Sequence, residues 1–329
     1  MDSQIIVGDC LKVLGDMPSD SINCCVTSPP YWNLRQYGVD SEIGSEVTPW
    51  EYIDRLVNVF GQVFRVLHPR GTFWLNLGDA YAQDKKWGGT TGGKHAKGLH
   101  RTTGIGRNRT NTGLPSKSLI GLPWRVALAL QERGWRIRAD IIWNKPNAMP
   151  HPVKDRPSVS HEYIFLLTKS ERYFYDIDAI REPHSETSLE RRDRGRSGRH
   201  KSDGGPGNHT LARNLDKSCH PNGRNRRSVW SVSVGKYAGS HFATFPPNLI
   251  TPCILAGCPR GGIVLDPFGG SGTTGQVANA LGRRYVLIEV NPNYVELIKQ
   301  RVNTPLRKNT NVKGKKRRKA ISQLELFDS

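Results

Sequence analysis

Residues 263–275 read Ile-Val-Leu-Asp-Pro-Phe-Gly-Gly-Ser-Gly-Thr-Thr-Gly, and residues 285–290 read Tyr-Val-Leu-Ile-Glu-Val. Each stretch begins with an apolar run that predicts a short buried strand. Between them the pattern predicts a glycine-rich turn and a helix over 276–281, which Gly282 ends as a C-cap. This β–α–β order is typical of a fold with a ligand-binding loop after its first strand.

The glycines of the turn are Gly270, Gly272 and Gly275, a spacing that permits a tight turn and close approach of the backbone to a ligand. Glu289 follows fourteen residues after Gly275, where a carboxylate can accept hydrogen bonds from ribose hydroxyls. Glycine spacing alone would equally suggest a dinucleotide such as NAD. The Asp-Pro-Phe at 266–268 and the position of the motif near the end of the chain argue against a nicotinamide cofactor.

Size and charge narrow the class of protein. A chain of 329 residues can bury the core of one large α/β domain with insertions. Its apolar runs and amphipathic segments predict a mostly parallel sheet of about seven strands with helices on both faces. The formal net charge of +19 favours a polyanionic partner, and nucleic acid is the first candidate. The alternative is a soluble basic protein without such a partner.

The sequence gives little indication of a membrane span, a disulfide framework or a metal site. The sequence has no apolar run near the ~20 residues that cross a bilayer, and it does not begin with a signal peptide. Six cysteines do not form a dense disulfide framework in a chain of this length, so we expect a reduced intracellular protein. Cys10, Cys24 and Cys25 are predicted to pack as small apolar residues. Cys253 and Cys258 lack a second pair at matching spacing, so no metal site is predicted.

Two long polar segments interrupt the predicted domain. They are rich in Gly, Thr, Lys, Arg and His, and they contain too few aliphatic residues to form a core. We expect one α/β domain built from residues 1–180 and 228–303, with insertions at 82–118 and 181–227 and a basic tail at 304–329.

A second motif, Ser28-Pro29-Pro30-Tyr31, follows the strand predicted at 22–26. Its prolines exclude a helix and favour an extended loop. The Ser28 hydroxyl and the Pro29 carbonyl can accept hydrogen bonds from an exocyclic amine, and Tyr31 offers a face on which a base can stack. Because strand carboxyl ends form the ligand crevice of an open α/β sheet, we expect this loop and the glycine loop to share one site. An ordinary Pro-Pro turn is the alternative.

With these two motifs the chain resembles the S-adenosylmethionine-dependent amino-methyltransferases of DNA, in the permuted, β-class order that places the catalytic motif before the cofactor motif. The tetrapeptide at 28–31 is similar to the catalytic motif of this family, and residues 266–274 are similar to its cofactor motif. The similarity covers residues 4–80, 120–178 and 228–303 and leaves out both insertions. It implies a Rossmann-like methyltransferase fold.

The resemblance also implies roles for cofactor-binding residues. Glu289 is similar to the residue that binds the cofactor ribose, and Asp9 resembles the one that contacts its adenine. The motif at 241–247 resembles the one that helps to close the methionine end. The residues expected to bind S-adenosylmethionine are Asp9, Asp266, Pro267, Phe268, Gly270, Ser271, Gly272, Thr273, Glu289 and Phe245.

The reaction that the resemblance implies is direct methyl transfer from sulfonium to nitrogen. A base inside double-stranded DNA cannot reach the sulfonium, so the target is expected to be flipped out and to stack on Tyr31. In this family a serine at the first motif position, here Ser28, leans toward cytosine N4, and adenine N6 is the alternative. A nicotinamide dehydrogenase would explain only the glycines, and a non-catalytic DNA-binding protein would explain only the charge.

Sequence recognition is expected in the second insertion. In the permuted order the target-recognition region usually lies between the strand near Phe165 and the cofactor motif, which places it at 181–227. Its arginines can read guanine edges or hold phosphates, and a solvated loop is the alternative. Residues 84–112 are expected to form a second, flexible loop facing DNA. The candidate DNA-binding residues are Arg191, Arg192, Arg194, Arg196, Arg224, Arg226 and Arg227.

The tail carries a run of like charge at 313–319, which can contact phosphates without sequence preference. After it, residues 323–327 resemble the short peptide with which bacterial replication and repair proteins bind the sliding clamp, and an incidental apolar end is the alternative. The residues of this motif are Gln323, Leu324, Leu326 and Phe327. The family further implies a cytoplasmic protein of bacterial or phage origin. A dimer is possible, and the oligomeric state stays open.

Overall fold

The structure, a computed structural model, describes residues 1–33, 43–82, 112–150, 152–190, 220–235 and 245–306. Within these ranges one sheet contains eight strands, one more than the roughly seven expected from the sequence pattern. They are β1 (Gln4–Val7), β2 (Ile22–Thr27), β3 (Leu67–Leu77), β4 (Arg136–Asn144), β5 (His161–Thr168), β6 (Val229–Ser231), β7 (Ile263–Asp266) and β8 (Arg284–Glu289).

The strand order is β1-β8-β7-β2-β3-β5-β4-β6. The first five strands in this order are parallel, and β5 is antiparallel to both of its neighbours, β3 and β4. Strands β4 and β5 are thus an antiparallel pair at the side of the sheet away from β1. The carboxyl ends of β1, β8, β7, β2, β3 and β4 and the amino end of β5 consequently meet at one edge of the sheet, which we call the carboxyl edge.

Helices cover both faces of the sheet, as the sequence predicts. The described helices are α1 (Cys10–Asp16), α2 (Pro49–Val66), α3 (Leu122–Glu132), α4 (Pro247–Gly257), α5 (Thr273–Ala280) and α6 (Val295–Val302), with short 3-10 turns at Asp178–Ile180 and Pro292–Tyr294. The buried residues of α1, α2 and α3 belong to one core cluster, and those of α4 and α5 belong to another. Adjacent Cys24 and Cys25 lie in different clusters because successive strand residues face opposite sides. Both are buried, as is Cys10, which confirms their apolar packing.

Strand β3 begins at Leu67, which pairs with Ile22 before the ladder is interrupted and resumes at Thr72. Helix α5 begins at Thr273 rather than residue 276, because Gly272, with φ +82°, turns the chain directly into the helix. None of the described helices has both the length and the apolar character needed to cross a bilayer.

Candidate active site

The two sequence motifs meet at the carboxyl edge. Strands β2 and β7 are hydrogen-bonded neighbours, with Cys25 opposite Leu265. Immediately beyond this pair, the Thr27 hydroxyl donates to Asp266 Oδ1 at 2.5 Å. The loop that starts at Ser28 and the glycine loop therefore begin side by side, although 239 residues separate Thr27 from Asp266. Both loops thus lie at the carboxyl edge, as one shared site would require, and the shared site stays a prediction.

The Asp266 carboxyl group joins these strand ends. It is 2% exposed and accepts hydrogen bonds from the Thr27 hydroxyl, from the Thr274 hydroxyl at 2.6 Å and from the Phe268 amide at 3.0 Å. Burial raises the pKa of Asp266 from 3.8 to about 7, and the three donors oppose that rise. The structure thus gives Asp266 an internal, loop-fixing position, and its contact with a cofactor stays a prediction.

Replacing Asp266 by asparagine should change how stability depends on pH. Because the folded protein binds this proton more tightly than the unfolded chain, Asp266 contributes stability below pH 3.8, and this contribution is lost as pH rises through about 7. Asparagine stays neutral, so the free energy of unfolding of Asp266→Asn relative to the wild type should increase between about pH 5 and pH 8 by about 2 kcal/mol. Urea denaturation across this range measures the difference. Parallel stability curves for the two proteins would contradict it.

The glycine loop is held by close packing. Gly270 and Gly272 have φ of +51° and +82°, the left-handed region that favours glycine. A Cβ on Gly272 would lie 2.9 Å from Ile298 Cγ2, and one on Gly275 would lie 2.7 Å from Leu287 Cδ1. The absence of side chains at these positions lets the loop and α5 pack directly against α6 and β8.

Two buried hydroxyls continue this loop. Ser271 is 1% exposed and Thr273 is 3% exposed. Arg301 of α6 donates from Nη1 to the Ser271 hydroxyl at 2.5 Å and from Nε to Gln276 Oε1 at 3.2 Å. Sequence reasoning did not identify Arg301, whose contact depends on how α6 folds back over the loop.

Glu289 ends β8 next to the same loop. Its Oε2 accepts the Gly270 amide at 2.8 Å, and its Oε1 accepts the Asn291 amide at 3.0 Å. Burial raises the pKa of Glu289, while these backbone donors oppose the rise. A carboxylate oxygen has two acceptor sites, so each oxygen can accept a further hydrogen bond from a ribose hydroxyl.

Asp9 stands beside Glu289 because β1 pairs with β8. The Gly8 amide donates to the Glu289 carbonyl at 3.0 Å, and Asp9 follows as the N-cap of α1, where its Oδ1 accepts the Lys12 amide. A left-handed glycine loop and two acidic residues at the ends of neighbouring strands fit S-adenosylmethionine. Phe245 is 7% exposed and belongs to the same apolar cluster as β7 and α5, whereas residues 241–244 of its motif lie outside the described residues.

The Ser-Pro-Pro-Tyr loop at residues 28–31 is anchored on both sides. The Pro30 carbonyl accepts the Tyr52 hydroxyl at 2.8 Å, which ties the loop to α2. The Tyr31 hydroxyl donates to Glu162 Oε2 at 2.7 Å and lies 3.4 Å from the Ser28 hydroxyl. Burial and the nearby Glu162 raise the pKa of Tyr31 well above its ordinary value, so this hydroxyl keeps its proton.

Three polar residues near Tyr31 were not identified from the sequence. Asn76 donates from Nδ2 to Glu162 Oε2 at 3.1 Å, and Lys145 forms an ion pair with Glu162 Oε1. The available signals were a polar Asn76 inside the apolar run of β3 and an acidic Glu162 at the start of β5. These signals did not indicate which residues would meet.

Residues near the two ends of the second insertion lie next to each other. Glu182 and Arg224 exchange two backbone hydrogen bonds, of 3.0 and 2.8 Å, and their side chains form an ion pair at 3.3 Å. The Arg226 guanidinium lies 4.6 Å from the ring centre of Trp230, and Arg227 is exposed. Arg224 thus has a structural partner, while Arg227 is open to solvent.

Several predicted residues lie outside the described ranges, and their roles stay predictions. These are most of the first insertion (83–111), the centre of the second (191–219) with Arg191, Arg192, Arg194 and Arg196, and the tail (307–329) with Gln323, Leu324, Leu326 and Phe327.

The chain is similar to known proteins over most of its length. The sequence model of the N6/N4 DNA methylase family matches residues 22–300. The type II methyltransferase M.XycI of Xanthomonas campestris pv. cyanopsidis is 47% identical over 303 residues, covering 91% of this chain and 87% of the relative.

Two solved structures share the fold. The PvuII DNA methyltransferase (cytosine-N4-specific) superimposes with a TM-score of 0.60 and 22% identity, covering 94% of this chain and 88% of that one. The complex of M1.HpyAVI with SAM superimposes with a TM-score of 0.51 and 17% identity, covering 92% and 99%.

Proposed function

The chain belongs to the N6/N4 DNA methylase family and is an S-adenosylmethionine-dependent DNA amino-methyltransferase, and from this premise we propose that it methylates N4 of a flipped cytosine in double-stranded DNA. The observation that carries the proposal is the juxtaposition of two loops at the carboxyl edge. The Thr27–Asp266 hydrogen bond joins the strand end before Ser28 to the strand end before the glycine loop. Such a juxtaposition suits a reaction between two separately bound molecules.

We assign the donor side to the glycine loop and its neighbours. Glu289 would hold the cofactor ribose, Asp9 would contact the adenine, and Phe245 would help to enclose the methionine end. The bound cofactor supplies an activated methyl group on sulfur. The residues around it orient that group toward the catalytic loop, and alignment of donor and acceptor contributes a large part of the rate. In this scheme Asp266 holds the two loops in register.

We assign the acceptor side to the tetrapeptide at 28–31. The Ser28 hydroxyl and the Pro29 carbonyl would accept the two hydrogens of the exocyclic amine, which directs the nitrogen lone pair toward the methyl group. As the N–C bond forms, the S–C bond would break with its electron pair left on sulfur, and the methylated nitrogen would release one proton to solvent. Tyr31 would stack on the base. Its anchored hydroxyl favours a fixed ring, and its partial exposure leaves room for a stacking partner. Extrusion of the base costs a few kcal/mol, which stacking and hydrogen bonding in the site offset.

The choice of cytosine N4 rests on Ser28, and nucleoside analysis tests it. DNA incubated with the purified protein and methyl-labelled S-adenosylmethionine should contain N4-methylcytosine when its nucleosides are separated by liquid chromatography and mass spectrometry. Base-resolved sequencing of the same DNA would locate the modified position. N6-methyladenine would reverse the base assignment and keep the reaction class. Unlabelled DNA after complete incubation would overturn the proposed function.

We further propose that DNA is held by the basic insertions. The contacts between Glu182 and Arg224 would hold the two ends of the second insertion together, with the exposed Arg227 beside them. Phosphate contacts by such residues would make binding salt-dependent. The designation of the relative M.XycI as a type II methyltransferase supports a place for this chain in a restriction-modification system.

The other segments of the chain are assigned roles in the same proposal. Residues 1–180 and 228–303 would act as one catalytic domain, and 181–227 would recognise the target sequence. The peptide at 323–327, tethered by the basic tail, would bind a sliding clamp.

A further inference from the structure

A polar cluster outside both motifs converges on Tyr31. It consists of Asn76 on β3, Glu162 on β5 and Lys145, which directly follows β4. Glu162 Oε2 accepts the Tyr31 hydroxyl at 2.7 Å and Asn76 Nδ2 at 3.1 Å, and Glu162 Oε1 is paired with Lys145. Because β3, β5 and β4 are neighbours in the sheet, regular strand pairing rather than a loop holds the cluster in place.

The chemistry of the cluster requires a carboxylate at its centre. The Tyr31 hydroxyl, the Asn76 amide and the Lys145 ammonium group all donate to Glu162, and a carboxylate has enough acceptor sites for all three. The side chains of Glu162 and Lys145 are only 14% and 19% exposed, so solvent screens their interaction weakly. Asn76 is itself fixed, because its Nδ2 also donates to the Tyr163 carbonyl at 3.0 Å.

The cluster restricts the Tyr31 ring at two places. Glu162 holds the hydroxyl at one end of the side chain. At the side of the ring lies Gly78, where an added Cβ would be 2.7 Å from Tyr31 Cε2. The ring therefore rests against bare backbone and cannot shift toward β3.

We propose that Glu162 is a positioning residue for methyl transfer: through the Tyr31 hydroxyl it fixes the aromatic ring that stacks on the target base. This inference rests on the proposed function. Glu162 contacts neither substrate in this scheme and acts only through Tyr31. Loss of its anchor should therefore affect the rate of transfer much more than the binding of either substrate.

A double-mutant cycle tests the proposal with Glu162→Gln, Tyr31→Phe and the combined variant. Glutamine has only one acceptor oxygen, which can accept either from Lys145 or from Tyr31 and Asn76. Its NH₂ group then faces a donor on the other side, and that hydrogen bond is lost. Tyr31→Phe removes only the anchored hydroxyl. Each single variant should lower kcat for DNA methylation by about tenfold to a hundredfold, because small misplacements of a reacting group have effects of this size. The kcat of the double variant should be no lower than that of the slower single variant, because both changes break the same contact. In all three variants, cofactor affinity and KM for DNA should change by less than about threefold.

Asp20→Asn is the matched control. Asp20 forms an ion pair with Lys169 at the edge of the sheet opposite the site, and the Lys169 side chain is 15% exposed. The backbone of Asp20 has φ +57°, which asparagine tolerates. This variant should lose an ion pair away from the site, one whose acid is 50% exposed against 14% for Glu162, and keep the wild-type kcat. The positioning role would be overturned if the losses of kcat in the two single variants multiplied in the double variant. It would also be overturned if cofactor affinity fell as much as kcat. In either case the proposed function would stand as long as the wild type methylates DNA. A wild type that transfers no methyl group to DNA would overturn the proposed function and this inference together.

Discussion

Replacing Ser28 by alanine should lower the rate of methyl transfer at least about a hundredfold and leave the affinity for S-adenosylmethionine unchanged. The hydroxyl is proposed to orient the amine in the transition state, and loss of one such polar contact typically costs this much. Its contact in the folded protein is weak, since it lies 3.4 Å from the Tyr31 hydroxyl, so its removal should hardly affect folding. Transfer of labelled methyl groups to DNA measures the rate, and isothermal titration calorimetry measures cofactor affinity.

Ser21→Ala is a suitable control for this experiment. The Ser21 hydroxyl donates to the Pro18 carbonyl at 2.7 Å in the turn before β2, at the edge of the sheet opposite the site. This variant should methylate DNA at the wild-type rate. If Ser28→Ala also kept the wild-type rate, the assigned role of the hydroxyl would be wrong, whatever the modified base proves to be.

Both loops of the proposed site could be predicted from the sequence because each is a local motif. The prolines at 29 and 30 restrict their own backbone, and the glycines at 270 and 272 permit left-handed turns that other residues disfavour. Strand ends of a parallel sheet share one edge, so the meeting of the two motifs also followed from the predicted topology. Local chemistry and general rules of α/β folds were sufficient for these conclusions.

The cluster around Glu162 could not be predicted in the same way, because its contacts are made between distant parts of the chain. Glu162 lies 131 residues from Tyr31 and 86 from Asn76. Their meeting depends on β5 running antiparallel beside β3, in a register that places Asn76 opposite Ile164. A polar residue in an apolar strand indicates that some partner exists, but only the register identifies it. Likewise, the buried position of Asp266 depends on hydroxyls from β2 and α5.

Replacing Gly272 by alanine should weaken S-adenosylmethionine binding at least about tenfold, the equivalent of about 1.4 kcal/mol. Two effects act together at this position. The backbone has φ +82°, which costs a residue with a Cβ roughly 1–2 kcal/mol. The new Cβ would also lie 2.9 Å from Ile298 Cγ2 and 3.2 Å from Ile298 Cα. Since a backbone atom of α6 cannot turn away as a flexible side chain can, the loop itself must shift. Calorimetric titration of the cofactor measures the loss.

Gly282→Ala separates these two effects. Gly282 has φ +68°, so alanine there bears a similar backbone strain, but nothing lies within 4 Å of its added Cβ. It ends α5 away from the glycine loop. Gly282→Ala should therefore lose about 1 kcal/mol of stability in urea denaturation. Gly272→Ala should lose more, because its Cβ also meets Ile298, and it alone should lose cofactor affinity. Equal loss of affinity in both variants would indicate that general destabilisation, rather than the shape of the loop, controls cofactor binding. An unchanged affinity in Gly272→Ala would instead place the cofactor away from this loop and contradict the donor side proposed for the site.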